Sequence, residues 1–129
     1  MAELDDLARR LISGPNYAHL ATLLPDGAPH SVPIWVDLED DRIVFLTSPS
    51  SRKARNIAAD PRVCLSVTDR EQPFTAASIR GRVVGRIDGD AGWRIIDRIA
   101  EKYVGGPYDR GSERVIYLIE PDQVLSSSV

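Results

Sequence analysis

Residues 47–61 read TSPSSRKARNIAADP, and this stretch joins the end of an apolar strand directly to a short helix. Four hydroxyl residues come first: Thr47, Ser48, Ser50 and Ser51. Cationic and amide side chains follow on the helix: Arg52, Lys53, Arg55 and Asn56. Serine is a preferred residue at the N-cap of a helix, so Ser50 or Ser51 is expected to begin it. Ala54, Ile57 and Ala58 supply the face that packs onto the rest of the protein.

The start of this helix has the chemistry of an anion site. The first turn of a helix carries backbone N–H groups without partners and the positive end of the helix dipole. Residues three apart share a helix face, which places Lys53 with Asn56 and Arg52 with Arg55. These residues therefore predict a phosphate-binding turn. A capped helix with a solvated basic surface is the alternative, and the residues alone leave both open.

The charge of the chain is unevenly distributed. The 129 residues carry a formal net charge of −3, which argues against a general binder of nucleic acids or membrane surfaces. Residues 52–86 nevertheless contain eight bases and three acids, whereas acids outnumber bases on both sides of this segment. An acidic protein with a basic middle segment indicates a local site for a small anionic molecule.

Other classes of site are excluded by composition. The single cysteine, Cys64, rules out an internal disulfide, and with only His19 and His30 besides it no metal-ligand cluster is expected. The first fourteen residues have no apolar signal core, and no run approaches the length of about 18 apolar residues that spans a membrane. We therefore expect a cytoplasmic protein with no membrane and no nucleic-acid partner.

Alternating apolar residues predict a series of antiparallel strands. They fall at 17–24, 30–38, 42–47, 62–68, 75–87 and 113–119, with a short last strand at 123–126. Pro33 lacks an N–H and predicts an edge position or a bulge in the second strand. Gly81 and Gly85 predict bends in the fifth strand.

Helical periodicity appears near both ends of the chain. Residues 3–13 and 91–104 repeat apolar side chains at helical spacing, and Gly14 and Gly105 follow these two helices. Strands linked by hairpins with short helices between them are typical of an antiparallel β-barrel. The fold class is therefore predicted as mainly β, in a single domain that spans residues 1–129.

Four segments in this order resemble the flavin/deazaflavin split-barrel family related to pyridoxamine 5′-phosphate oxidase. They are AHLATLLPDGAPHSVPIWVDLEDD (18–41), TSPSSRKARN (47–56), DPRVCLSV (60–67) and AEKYVG (100–105). The resemblance implies a six-stranded antiparallel split barrel of the FMN-binding type. It also implies an obligate homodimer that binds a flavin-like cofactor across the interface.

The resemblance also assigns roles to individual residues. The backbone along the cofactor ring system would be Ser31, Val32, Pro33, Ile34 and Trp35. The residues at the phosphate would be Thr47, Ser48, Ser50, Lys53 and Asn56, with Arg52 or Arg55 helping. Phe74 lies in a loop that reaches into the partner subunit's site in similar proteins.

Two cofactors remain open at this point. With its Lys-x-Arg-Asn helix and Pro-x-Trp strand, the chain resembles family members that often use the deazaflavin coenzyme F-420. Other members of similar length use FMN. F-420 carries a lactyl-oligoglutamate tail with several more negative charges than FMN. The excess of bases in residues 52–86 favours F-420. Within it, the alternating Arg80, Arg82 and Arg86 either serve the tail or form a solvated strand face, which we favour.

No nucleophile–base pair, carboxylate dyad or metal set is visible in the sequence. That pattern suits hydride transfer, in which the cofactor supplies the chemistry and the protein supplies binding and orientation. We therefore expect an F-420-dependent reductase acting on a conjugated or quinone-like acceptor, with the completing proton from solvent. An FMN-dependent oxidase or reductase is the nearest alternative. A non-catalytic flavin carrier and a structural dimer with an empty site are the others.

The sequence leaves the role of several aromatic residues open. Trp35 either borders the cofactor ring or fills the core. Tyr17, Tyr103 and Tyr108 each carry a hydroxyl that can donate a proton to a reduced substrate. We expect Tyr103 to pack the late helix. Tyr108 lies on a polar segment, and a place at the substrate mouth is the less favoured alternative for it.

Overall fold

The computed structural model describes residues 2–128; Met1 and Val129, which the predicted domain 1–129 includes, lie outside the described residues. Three helices and seven strands follow one another in this part of the chain. They are α1 Asp6–Ser13, β1 Ala18–Leu23, β2 Pro29–Ile34, β3 Val36–Glu39, β4 Arg42–Thr47, α2 Arg52–Ala59, β5 Arg62–Thr68, β6 Ala76–Ile87, α3 Gly89–Val104 and β7 Val115–Ser127. The protein is therefore mainly β, as the sequence predicts.

The strands form one antiparallel sheet in the order β2-β1-β5-β6-β7-β4-β3. The two edge strands are β2 and β3, although only Trp35 separates them along the chain. Because two opposite edges are joined through one residue, the sheet has to curl until they approach each other. It does so as a half-barrel.

The break at Trp35 divides the predicted strand 30–38 into β2 and β3, so the sheet has seven strands where the family resemblance implies six. The segment 30–38, predicted as one strand, pairs first with β1, where Ile34 lies opposite Ala18, and then with β4, where Val36 lies opposite Phe45. This change of partner depends on distant strands and leaves no local signal. Pro33 stands in the edge strand β2, which confirms the edge position that its missing N–H predicts.

The long strands β6 and β7 bend together. Their register shifts between Arg80 and Gly81 and again between Val83 and Gly85, so both predicted glycine bends are confirmed. At Gly81 a Cβ atom would overlap the carbonyl oxygen of Glu120, which explains the need for glycine there. The two strands predicted at 113–119 and 123–126 are one continuous strand, β7.

Apolar side chains fill both faces of the central strands. Inside the half-barrel, Phe45, Leu65 and Ile79 are buried, and α1 packs Leu11 and Ile12 against them. On the outer face, α3 forms a second cluster. Its main members are Val44, Ile96, Ile99 and Ile116. Each fully buried aliphatic side chain contributes about 1.5–3 kcal/mol, so α3 is firmly fixed to β4 and β7.

None of the helices within residues 2–128 has the length and apolar content needed to cross a membrane.

Candidate functional site

The turn between β4 and α2 is organised by its own hydroxyl groups. Ser51 is the N-cap of α2, and its Oγ accepts a hydrogen bond of 3.1 Å from the N–H of Ala54. Thr47 is buried and donates its hydroxyl proton to the same Oγ at 3.0 Å. The hydroxyls of Ser48 and Ser50 lie 3.0 Å apart at the surface. Ser51 therefore caps the helix, and the pair Ser48 and Ser50 remains available to a ligand.

The first turn of α2 also keeps free backbone donors. Within residues 2–128, the N–H groups of Arg52 and Lys53 make no hydrogen bond to protein. These are two of the groups that an anion contacts when it binds at a helix N-terminus. The turn therefore has the donors that the sequence predicts for a phosphate site.

Lys53 and Asn56 point to different surroundings, although both were predicted at the phosphate. Lys53 lines an open cleft next to β2 and β4. Asn56 is only 2% exposed, and its Nδ2 donates a hydrogen bond of 3.0 Å to the hydroxyl of Thr22 on β1. Asn56 thus ties α2 to the sheet. A direct contact of its amide with a phosphate remains a prediction that this placement does not favour.

The cleft has a volume of about 220 Å³ and is lined by polar and apolar surface in similar amounts, with one cationic side chain. Its lining comes from the end of β2, from β4, from α2 and from the segment after α3. The residues are Pro33, Ile34, Trp35, Leu46, Lys53 and Tyr108. Three of the five residues predicted along a cofactor ring are therefore in it. Ser31 and Val32 lie further back along β2 and do not line it.

Trp35 belongs to a stack of aromatic rings that fixes the floor of the cleft. Its ring lies parallel to that of Tyr103, with centroids 5.1 Å apart and an angle of 6° between the planes. Tyr103 stacks in turn on Tyr17 at 5.7 Å. The ring of Tyr108 meets Trp35 edge-on at 6.1 Å. Such contacts hold the indole in one orientation beside the cleft.

The hydroxyl of Tyr103 is committed to the backbone at the strand break. It donates a hydrogen bond of 2.7 Å to the carbonyl of Asn16 and accepts one of 3.2 Å from the N–H of Val36. Burial raises the pKa of Tyr103 to about 12, so the phenol stays protonated at neutral pH. Tyr103 therefore holds Trp35 and Val36 in place, which agrees with the packing role predicted for it.

Lys102 supports the same break from the other side of α3. Its ammonium donates hydrogen bonds to the carbonyls of Ile12 and Val36, and it lies 3.9 Å from the carboxylate of Asp37. Burial lowers the pKa of Lys102 to about 8. The C-terminal turn of α3 thus fixes the break at Trp35, where the chain passes from one edge of the sheet to the other.

The cations of α2 and the nearby Arg114 are not neutralised by the protein itself. Among residues 2–128, these four form no ion pair with a carboxylate: Arg52, Lys53, Arg55 and Arg114. Burial lowers the pKa of Lys53, and the nearby charge of Arg114 lowers it further. The Nε of Arg52 is also buried without a hydrogen-bond partner in that range. The site therefore has positive charge without a counter-charge of its own.

Two of the three arginines in the β6 stripe differ in this respect, whereas Arg80 forms no ion pair with a carboxylate in residues 2–128. Arg82 pairs with Glu120 at 3.6 Å and with Asp122, and Arg86 pairs with Asp88 at 2.6 Å. The charges of Arg82 and Arg86 are balanced locally, which agrees with the solvated strand face favoured from the sequence.

Two cleft residues have no signal in the sequence. Arg114 reaches the site because Val115, the next residue, pairs with Thr47 across β7 and β4. Leu46 lines the cleft because this same strand precedes the hydroxyl-rich turn. Knowledge of the β4–β7 pairing would have identified both.

Phe74 is separate from the cleft within one chain. It lies in the turn between β5 and β6, 77% exposed, and does not line the cleft. Its predicted contact with a partner subunit remains a prediction. No group of three metal-ligating side chains occurs in the part of the chain that the structure describes.

Comparisons with known proteins agree with this architecture. The pyridoxamine 5′-phosphate oxidase family, PNPOx_N, matches residues 4–127. A solved structure described as an F420 reductase is 29% identical, with a TM-score of 0.80 over 91% of this chain and 94% of that chain. A conserved hypothetical protein from Mycobacterium tuberculosis is 25% identical, with a TM-score of 0.79 over 98% of this chain and 85% of its own.

A putative pyridoxamine 5′-phosphate oxidase from Lactobacillus delbrueckii has the same fold at 17% identity, with a TM-score of 0.72 over 95% of this chain and 93% of that chain. No curated protein sequence matches the chain.

Proposed function

The chain belongs to the pyridoxamine 5′-phosphate oxidase family, and on that premise we propose that it is an oxidoreductase that uses the deazaflavin coenzyme F-420. The observation that carries the proposal is the cleft of Trp35, Leu46 and Tyr108, which has aromatic and aliphatic side chains along its walls and a cation at the α2 end. A slot with such walls beside a helix N-terminus suits a planar ring system that carries a phosphate. The similarity to a structure described as an F420 reductase supports the same class.

The donor set fits the phosphate of either cofactor. The N–H groups of Arg52 and Lys53, the ammonium of Lys53 and the hydroxyls of Ser48 and Ser50 would hold it. Hydrogen bonds from charged or backbone donors to a phosphate are short and strong. Lys53 lacks a carboxylate partner in the described chain, so a phosphate would supply the counter-charge that this partly buried ammonium lacks.

The choice of F-420 over FMN rests on the number of unbalanced cations. FMN carries a single terminal phosphate, whereas F-420 continues into an oligoglutamate tail with several carboxylates. Arg52 and Arg55 lie on the same turn of α2 as Lys53, Arg114 is close enough to Lys53 to affect its charge, and none of the three forms an ion pair in residues 2–128. Together with Lys53 they supply more positive charge than one phosphate requires, and they would guide the tail.

When bound, the deazaflavin would supply the site that accepts or gives a hydride. The residues of the chain would bind and orient it: Trp35 and Tyr108 border the ring, and Lys53 anchors the phosphate. The titratable side chains that line the cleft are Lys53 and Tyr108, and the first is assigned to the phosphate. The proton that completes a reduction would come from solvent or from Tyr108. A conjugated or quinone-like molecule is the proposed acceptor.

A homodimer is part of the proposal. The cleft is open on one side, and a second chain would cover the ring there. Phe74, Tyr17 and Leu125 expose most of their apolar surface in the single chain, which supports contact with another subunit. Sedimentation equilibrium should give a mass of two chains, and Phe74→Ser should shift the equilibrium toward the monomer. A monomer at micromolar concentration would contradict this part.

Turnover separates an enzyme from a carrier. The protein is mixed with chemically reduced F-420 and a soluble quinone, and the absorbance of the oxidised coenzyme is followed. An enzyme increases the rate at which oxidised F-420 forms, in proportion to protein concentration. A carrier binds the coenzyme without changing this rate. The same assay with reduced FMN tests the alternative, an FMN-dependent oxidase or reductase.

A further inference from the structure

The segment from Gly105 to Arg114, here called the strap, connects α3 to β7 and places Tyr108 at the edge of the cleft. Gly105 ends the helix in the left-handed conformation, with φ of 76°. Most of the strap is exposed, but Tyr108 is half-buried against Trp35. Because the strap has no regular secondary structure and little apolar burial, something specific has to hold Tyr108 there.

One carboxylate on α3 holds the strap. Asp97 accepts hydrogen bonds from both Nη atoms of Arg110, at 2.8 and 2.6 Å, and from the N–H of Tyr108 at 3.1 Å. The guanidinium of Arg110 also lies 4.3 Å from the ring centre of Trp93. A bidentate pair that is stacked on an aromatic ring is more rigid than an ordinary surface ion pair.

Helix α3, which carries Asp97, also fixes Trp35 on the opposite side of the cleft. Tyr103 stacks on Trp35, and α3 is itself anchored through Ile96 and Ile99 to the outer face of the sheet. The two aromatic side chains that border the cleft, Trp35 and Tyr108, are thus both held by contacts with α3. Trp35 follows directly on a strand, whereas Tyr108 lies on a segment without regular secondary structure and is held by ring contacts with Trp35 and Trp93 and by the hydrogen bonds to Asp97. Such a segment opens more easily than the sheet.

We propose that Asp97 and Arg110 are positioning residues that latch the strap to α3, so that Tyr108 forms a movable wall of the cleft and tightens the grip on a bound ring. The identity of that ring as F-420 or FMN rests on the proposed function. In the latched state the strap orders Tyr108 before the ligand arrives. Opening of the latch gives a bulky coenzyme a route in and out.

The first test of the latch needs no ligand. Limited digestion with trypsin cleaves after Arg110 and Arg114, and the fragments are identified by mass. Asp97→Asn keeps both cleavage sites and the size of the side chain, but removes the charge. We expect about fivefold to tenfold faster cleavage in this variant, the size expected from loss of an exposed ion pair and its aromatic contact.

Two further variants make the test specific. Arg110→Lys keeps the charge but loses the two-pronged contact and the stacking, and its protection should therefore lie between wild type and Asp97→Asn. Arg94→Gln is the control, since Arg94 lines the same surface hollow on α3 and makes no ion pair in the described chain. It should digest at the wild-type rate.

The second test asks whether the latch acts through Tyr108. F-420 and FMN are titrated into wild type, Asp97→Asn, Tyr108→Ala and the double variant. We expect Asp97→Asn to weaken binding about fivefold when Tyr108 is present and less than twofold when it is absent. An equal loss in both backgrounds would overturn the positioning role, because it would show that Asp97 acts without Tyr108.

The outcomes distinguish this inference from the proposed function. Digestion of Asp97→Asn within twofold of wild type overturns the latch, whatever the protein binds. If wild type binds neither coenzyme, the proposed function fails, and faster digestion of Asp97→Asn but not of Arg94→Gln still supports the latch. Unchanged coenzyme affinity in a variant that digests faster overturns the claim that the strap forms a wall of the ring site.

Discussion

Replacement of Lys53 by methionine should change stability and binding in opposite directions. In the free protein the ammonium of Lys53 is partly buried, has no carboxylate partner in the described chain and lies near Arg114. Both effects lower its pKa, which means that the charged form is less favourable in the folded protein than in the unfolded chain. At neutral pH, where the unfolded lysine is charged, Lys53→Met removes this penalty and keeps the aliphatic length. The coenzyme-free variant should therefore unfold at the same temperature or higher.

The loss of affinity should be large by comparison. A hydrogen bond to a charged group contributes about 1.5–3 kcal/mol, which corresponds to roughly 10- to 150-fold in the dissociation constant. We expect the loss of affinity in Lys53→Met to lie near the middle of this range, because the N–H groups of α2 remain to hold the phosphate. The difference from wild type should shrink as salt is added, since charge interactions at the cleft mouth are screened over about 8 Å at physiological ionic strength.

Fluorescence titration at several salt concentrations measures the affinity, and thermal unfolding without coenzyme measures the stability. Arg70→Gln is the matched control: Arg70 is exposed, lies outside the cleft and forms no ion pair in residues 2–128. It removes one positive charge and should leave binding within twofold of wild type. Affinity within twofold for Lys53→Met would refute the phosphate assignment. A lower unfolding temperature with normal affinity would assign Lys53 a purely structural role.

Three further predictions concern the scaffold. Gly81→Ala should lower the free energy of unfolding by about 1–3 kcal/mol in urea, because its Cβ would overlap the carbonyl of Glu120; an unchanged urea midpoint would argue against a fixed bulge. Tyr103→Phe should lower it by about 1–3 kcal/mol, since the N–H of Val36 loses its acceptor, while stacking on Trp35 is kept; equal stability would place a water there. Between about pH 8 and pH 10.5 the unfolded chain holds the proton of Lys102 and the folded chain does not, so stability should rise with pH in this window. Urea titrations should show this slope in wild type and a smaller slope in Lys102→Gln, in which Lys53 is the remaining lysine with a lowered pKa.

The elements of the fold could be predicted where the signal is local. The helix at α2 follows from its serine cap and its apolar face, and α3 follows from its periodicity and the glycine that ends it. The break at Trp35 could not be predicted, because residues on both sides remain extended and apolar. What changes there is the partner strand, from β1 to β4, and pairing between distant strands is not encoded in one segment.

The same distinction holds for the candidate site. Trp35 is placed at the site by the family resemblance, whereas Lys53 could be placed there from its local helix pattern. Arg114 could not, since only the pairing of Thr47 with Val115 brings it to the cleft. The helix periodicity placed Asn56 with Lys53, but the way α2 rests on β1 turns the amide toward Thr22. The rotation of a helix about its own axis relative to a sheet is set by packing, so it could be seen only in the structure.

Parallel titrations of the purified protein with F-420 and with FMN test the central claim most directly. We predict micromolar or tighter binding of F-420, at least tenfold weaker binding of FMN, and a colourless protein from a host that lacks F-420. Tighter binding of FMN, or a yellow protein as isolated, would contradict the assignment of F-420 and reduce Arg52, Arg55 and Arg114 to ordinary surface charge.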